Sequence, residues 1–160
     1  MRIEDMSQSG SNAVSDQSPD LSAHNDYDVI PAGAHAPATG NAITGSGTVS
    51  GAAGADSLGS GNALITSITG AGGTDSSFAG GHLEIAGKFG VIRIDSHGNY
   101  NYARNPDSPD GVTDTFTYAL SDRAGGRDTA TLSIRIEAEP IAFRLPLAQL
   151  VSSMSMPSKL

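Results

Sequence analysis

Aspartate dominates the side chains of this 160-residue chain that could do chemistry. Thirteen of the seventeen acids are Asp and four are Glu, against nine Lys plus Arg, four His and no cysteine. Asp is a poor helix former and a good turn residue. Its short carboxylate also suits Ca²⁺, which takes six to eight hard oxygens at once. Asp26 and Asp28 are two apart, so on a strand both carboxylates point to one side. If successive strands simply alternate in direction, the first strand begins at the end where the 45–62 and 105–112 segments emerge. That gathers Asp26, Asp28, Asp56, Asp107 and Asp110 at one pole and leaves Asp95 and Asp122 at the other. The five acids predict a calcium site, completed by backbone carbonyls and water. The competing reading is that these residues only build turns, since Asn105-Pro106-Asp107-Ser108-Pro109-Asp110-Gly111 is what a turn needs.

Other chemistries find less support. A serine nucleophile needs a strained elbow, and no Gly-x-Ser-x-Gly is present; Gly45-Ser46-Gly47 and Gly59-Ser60-Gly61 are flexible loop composition. His24, His35, His82 and His97 lack the i, i+4 spacing of a helical zinc pair, and the absence of cysteine removes thiolate metal sites and disulfides. Paired carboxylates for glycoside hydrolysis are allowed by spacing, but 5% aromatics leave little to line a sugar cleft. Formal charge −8 argues against nucleic acid, whose phosphates demand a basic face. No apolar run approaches the ~18 residues of a membrane-spanning helix.

The elements that must position these residues are strands. Residues 129–136 alternate strictly, with Ala130, Leu132, Ile134 and Ile136 on one face and Thr129, Thr131, Ser133 and Arg135 on the other. In 113–121, Phe116, Tyr118 and Leu120 share a face, and Asp122 to Arg127, with two adjacent glycines, closes a hairpin. A second hairpin pairs Ile92 and Ile94 with Tyr100 and Tyr102 across a turn in which Gly98 takes the left-handed position. Weaker strands are expected at 63–68, 82–86, 25–30 and 38–44, with the Gly-rich stretches 45–62 and 70–81 as surface loops. Seven or eight short strands in about 115 residues predict an all-β antiparallel sandwich, with a small barrel as the alternative.

These residues resemble a known family. Gly87-Lys88-Phe89-Gly90-Val91-Ile92-Arg93-Ile94-Asp95-Ser96-His97-Gly98-Asn99-Tyr100-Asn101-Tyr102 is similar to the central hairpin of the VCBS repeat, a bacterial cadherin-like or Ig-like module. The run from Thr113 through Asp122, Gly125-Gly126 and Asp128 to Leu132 is similar to that family's closing strands, and Ala23 to Asp26 and Thr39 to Gly45 fit its opening. The resemblance covers about 23–137. It implies an Ig-like fold, a place in secreted or surface-attached bacterial proteins, and links with adhesion, biofilm matrix, calcium and type I secretion. The chain carries one such module rather than an array, and it lacks the Gly-Gly-x-Gly-x-Asp repeats that bind calcium in RTX proteins.

The expected organisation is a disordered leader at 1–22, a cadherin-like β-sandwich at 23–138 and an apolar tail at 139–160. The start has no apolar core of a secretory signal peptide, so the chain either stays in the cytoplasm or leaves by a route that does not read its N-terminus. The tail is expected to pack back on the domain, to bind a partner, or to act as an uncleaved secretion signal. The expected function is a non-enzymatic, extracellular or cell-surface adhesion or matrix module, calcium-dependent and binding polysaccharide or a surface protein. With an acidic polymer the contact would be calcium-bridged, since two acidic surfaces repel. A structural spacer without ligand, or an accessory fragment of a carbohydrate-active hydrolase, are the alternatives.

Overall fold

The computed structural model of the protein describes residues 20–59 and 62–141. Most of the expected leader, 1–19, and most of the tail, 142–160, lie outside the described residues. Eleven strands run in chain order: β1 Leu21–Ser22, β2 Asp26–Ile30, β3 Ala38–Asn41, β4 Ser57–Leu58, β5 Leu64–Gly70, β6 Gly73–Asp75, β7 His82–Ala86, β8 Gly90–Asp95, β9 Asn99–Arg104, β10 Val112–Ser121 and β11 Arg127–Ile136. Two 3-10 turns, Gly51–Gly54 and Ala79–Gly81, are the only helical segments among the described residues.

Two sheets face each other. One has the order β2-β11-β10-β5-β6 and the other β3-β9-β8-β7, while β1 and β4 form a short separate pair. All neighbours are antiparallel except β2, which lies parallel to β11. The alternation read in the sequence is the alternation of burial. Ile92, Ile94, Phe116, Leu120, Leu132 and Ile134 are fully enclosed, and each such side chain contributes ~1.5–3 kcal/mol by leaving water. The Tyr102 and Phe116 rings meet edge to face across the two sheets, 5.9 Å between centroids. The described residues fold as an all-β sandwich around this core.

The β8–β9 turn forms as expected. Gly98 has φ +88°, and a side chain there would meet Ile43 at 2.9 Å. Asp95 fixes the turn by accepting the His97 and Asn99 backbone N–H groups at 2.9 and 3.0 Å.

Three strands were not read from the sequence. Leu21–Ser22, assigned to the leader, pairs with Ser57–Leu58, assigned to a loop. Gly73–Asp75, also assigned to a loop, pairs with the end of β5. Strands of two or three residues are too short to display a period. The third miss has a large consequence. Each strand reverses the chain, so omitting β6 inverts the inferred end for every later loop. The turns at 95–99 and 122–126 lie at the end where β5 begins, as the Ile65 N–H bond to the Ser96 carbonyl and the Leu64–Ser121 pairing require. The 105–111 loop lies at the opposite end, where the Gly111 N–H reaches the Ile136 carbonyl.

Candidate functional site

Parity places Asp26 and Asp28 on the same side as Ile30, which is the inside. They are 3% and 6% exposed, and Asp114, inward by parity with Phe116, is 2% exposed. A buried charge must be paired or hydrogen-bonded, and tyrosines supply much of what these three carboxylates need.

Asp114 sits in a donor-rich cradle. It accepts the backbone N–H groups of Lys88 at 2.7 Å and Phe89 at 2.9 Å, and the Tyr102 hydroxyl at 2.7 Å. The β7–β8 turn can approach this closely because residue 87 is glycine: a Cβ there would lie 2.4 Å from Asp114 Oδ2. Asp28 is simpler. It accepts the Tyr100 hydroxyl at 2.6 Å and the Val29 N–H at 2.8 Å. Asp28 and Asp114 flank Ile134 in one cross-strand row.

The surroundings of Asp26 are the opposite. Tyr118 carries one hydroxyl proton, and five oxygens surround it: the His24 carbonyl at 2.9 Å, the Ala42 carbonyl at 3.2 Å, Asp26 Oδ2 at 3.4 Å, and Asp56 Oδ1 and Oδ2 at 3.2 and 3.1 Å. Ser50 donates to Asp26 at 3.0 Å and the His24 N–H to Asp56 at 2.6 Å. Acceptors still outnumber donors. Burial pushes Asp26 up to about 7, against the Ser50 bond that lowers it and with the Asp56 charge adding to the rise. Burial likewise raises Asp56 to about 6. Burial, then the neighbouring Asp56 and Asp26 charges, drives the Tyr118 phenol well above its ordinary range.

The structure therefore brings together Asp26 and Asp56 through one tyrosine, with Asp28 on the same strand. It does not bring in Asp107 and Asp110. Both are exposed on the 105–111 loop at the far end, where Asp110 pairs with Arg104 at 3.1 Å. The single expected pole is thus corrected: β6 reverses the chain once more than simple alternation assumed, which exchanges these two acids with Asp95 and Asp122. Among the described residues no three His, Asp or Glu side chains form a metal-holding group. The residues that sequence reasoning missed are Asp114, Tyr118 and Ser50. The signal for Asp114 was present, since it shares the parity of Phe116.

An open groove of about 670 Å³ lies at the Asp56 end, with Leu58, Leu64, His97, Ser121 and Asp122 among its walls. Ser121, His97 and Asp122 are a suggestive trio, but they are not bonded to one another. The His97 ring faces Ser96 at 3.4 Å, Asp122 accepts the Gly126 N–H, and Ser121 lies 3.5 Å from Thr66.

Residues 36–135, which span β3 to nearly the end of β11, match the bacterial Ig domain. The chain belongs to that family. Bacterial Ig domains are generally non-catalytic, and the inward use of the acids fits such a module. Comparison with curated proteins gives no match. No helix among the described residues is long and apolar enough to cross a membrane.

Proposed function

We propose that this bacterial Ig domain is a non-enzymatic adhesion or matrix module of the VCBS, cadherin-like kind, exported to the cell surface or medium, where it binds polysaccharide or a surface protein. The observation that carries the reading is where the polar groups go. The carboxylates closest to one another face inward onto tyrosines, and the outer faces carry hydroxyls, amides and scattered charges. A glycosidase needs an open gap of ~5–10 Å between its two carboxyl groups; the Tyr118 hydroxyl fills the gap between Asp26 and Asp56.

Calcium dependence and type I export belong to the same proposal. With Asp107 and Asp110 at the far end, Asp26, Asp28 and Asp56 are the carboxylates left at the expected pole, and calcium there would have to displace the Tyr100 and Tyr118 hydroxyls and the protons these acids retain. Binding to the native state would raise thermal stability by mass action. The test is co-sedimentation of the purified chain with bacterial exopolysaccharide and envelope material, in calcium and in chelator, with reducing ends assayed alongside. Retention without new reducing ends supports the reading, and greater retention in calcium supports its dependence. Release of reducing ends, or no retention on any surface material, contradicts it. A melting temperature identical in chelator and millimolar calcium removes the calcium element alone.

A further inference from the structure

The outward face of the five-stranded sheet differs from the rest of this acidic chain. Along β10 and β11 the outward positions hold Thr and Ser with Ala119, and Arg127 and Arg135 stand at the two ends of β11. In the middle row Thr131, Thr117, Thr69 and Thr74 stand side by side across four strands. None of the outward positions of β10 and β11, nor those of β2 and β5 paired beside them, holds a carboxylate, in a chain of formal charge −8. At the margins Asp75, Asp122 and Asp128 are engaged by the backbone N–H groups of Glu84, Gly126 and Ala23. Arg127 and Arg135 are exposed and form no ion pair with a described residue. The other sheet presents the contrast: its outward face carries both signs, and Arg93 there is already paired with Glu84.

We propose that this face docks an acidic polysaccharide laid along β10 and β11, its carboxylate or sulfate groups on Arg127 and Arg135 and its hydroxyls on the threonine rows between them. The inference rests on the adhesion reading and deepens it. Guanidinium groups present planar donor forks that match such anions. The two arginines are eight residues apart on one strand, ~27 Å at ~3.4 Å per residue. Each exposed pair is weak alone, so affinity comes from a polymer long enough to engage both ends together. Threonine adds a hydroxyl for the sugar hydroxyls and a methyl for the sugar C–H surface. Because this face carries no carboxylate, the contact needs no bridging cation, unlike the calcium-bridged contact that the net charge suggested.

The test is titration calorimetry of the full chain at 0.15 M NaCl with polygalacturonate, digalacturonate and neutral dextran. The variants are Arg127→Ala with Arg135→Ala, and Thr131→Glu, with thermal melts confirming that each is folded. We expect polygalacturonate to bind at least tenfold more tightly than dextran or the dimer, and each variant to lose at least tenfold. Equal affinity for dextran, or full affinity in the double alanine variant, overturns the proposal. If polygalacturonate does not bind while the chain still sediments with bacterial surface material, the face assignment alone falls. Failure of both removes the adhesion reading with it.

Discussion

Two carboxylate sites inside the same sandwich differ in one respect, the ratio of donors to acceptors. At Asp114, two backbone N–H groups and a tyrosine hydroxyl converge on one carboxylate. At Tyr118, five oxygens converge on one hydroxyl. The first arrangement holds an anion in place and ties the β7–β8 turn to β10. The second favours a retained proton, since buried carboxylates short of donors are more stable neutral. The same pair of residue types, Asp and Tyr, therefore does two different jobs, decided by which backbone segment lies alongside.

The largest effect should follow from emptying the donor-rich cradle. Asp114→Ala leaves two buried N–H groups and the Tyr102 hydroxyl without their acceptor, and should cost about 3 kcal/mol or more by urea unfolding. Gly87→Ala should cost ~1–3 kcal/mol, because its methyl group would run into the Asp114 carboxylate and push the turn away. A loss below 0.5 kcal/mol for either would deny Asp114 its anchoring role.

One substitution made at both sites should have opposite effects. Asparagine brings a donor with its acceptor. Asp114→Asn aims NH₂ hydrogens at N–H groups and should destabilise by ~2 kcal/mol. Asp26→Asn supplies a donor where donors are scarce, and at pH 8 it should be neutral or stabilising by ~1 kcal/mol. Equal losses at the two positions would erase the distinction.

The pH dependence follows from the same difference. Asp26 and Asp56 have folded-state values raised above the ordinary 3.8, so the stability they contribute is full below about pH 4 and is lost as pH rises through 6 and 7. Asp75 is lowered to about 2, chiefly by the Glu84 N–H bond and then by Ser77, so its contribution is present above about pH 4 and is lost as pH falls toward 2. The melting temperature should peak near pH 4–5 and decline by a few degrees toward pH 8. Asp26→Asn should flatten the alkaline decline.

Period-two alternation located β8 to β11 and put Ile92, Ile94, Tyr100, Tyr102, Phe116, Leu120, Leu132 and Ile134 on the shared faces that are buried, because burial on one face imposes that period, while weaker apolar stretches supplied β2, β3, β5 and β7. The sandwich followed. Gly98 was readable from its turn. The three shortest strands were not readable, and missing Gly73–Asp75 sent Asp107 and Asp110 to the wrong end. Site chemistry was half visible. Asp26 and Asp28 do share a face, but that face is the core, as the parity of Ile30 on the same strand already required. The convergence of His24, Ala42 and Asp56 on Tyr118 joins residues as far as 94 positions apart, and no local pattern records such a contact.

In the acceptor-rich pocket around Tyr118, Asp26 and Asp56 keep their protons to higher pH than an ordinary carboxyl group. A carboxyl ¹³C NMR titration of the aspartates, assigned with Asp26→Asn and Asp56→Asn, measures this directly. Asp26 is expected to titrate near pH 7 and Asp56 near pH 6. Titration of both near pH 4 would show that the pocket holds neither carboxyl neutral above its ordinary range.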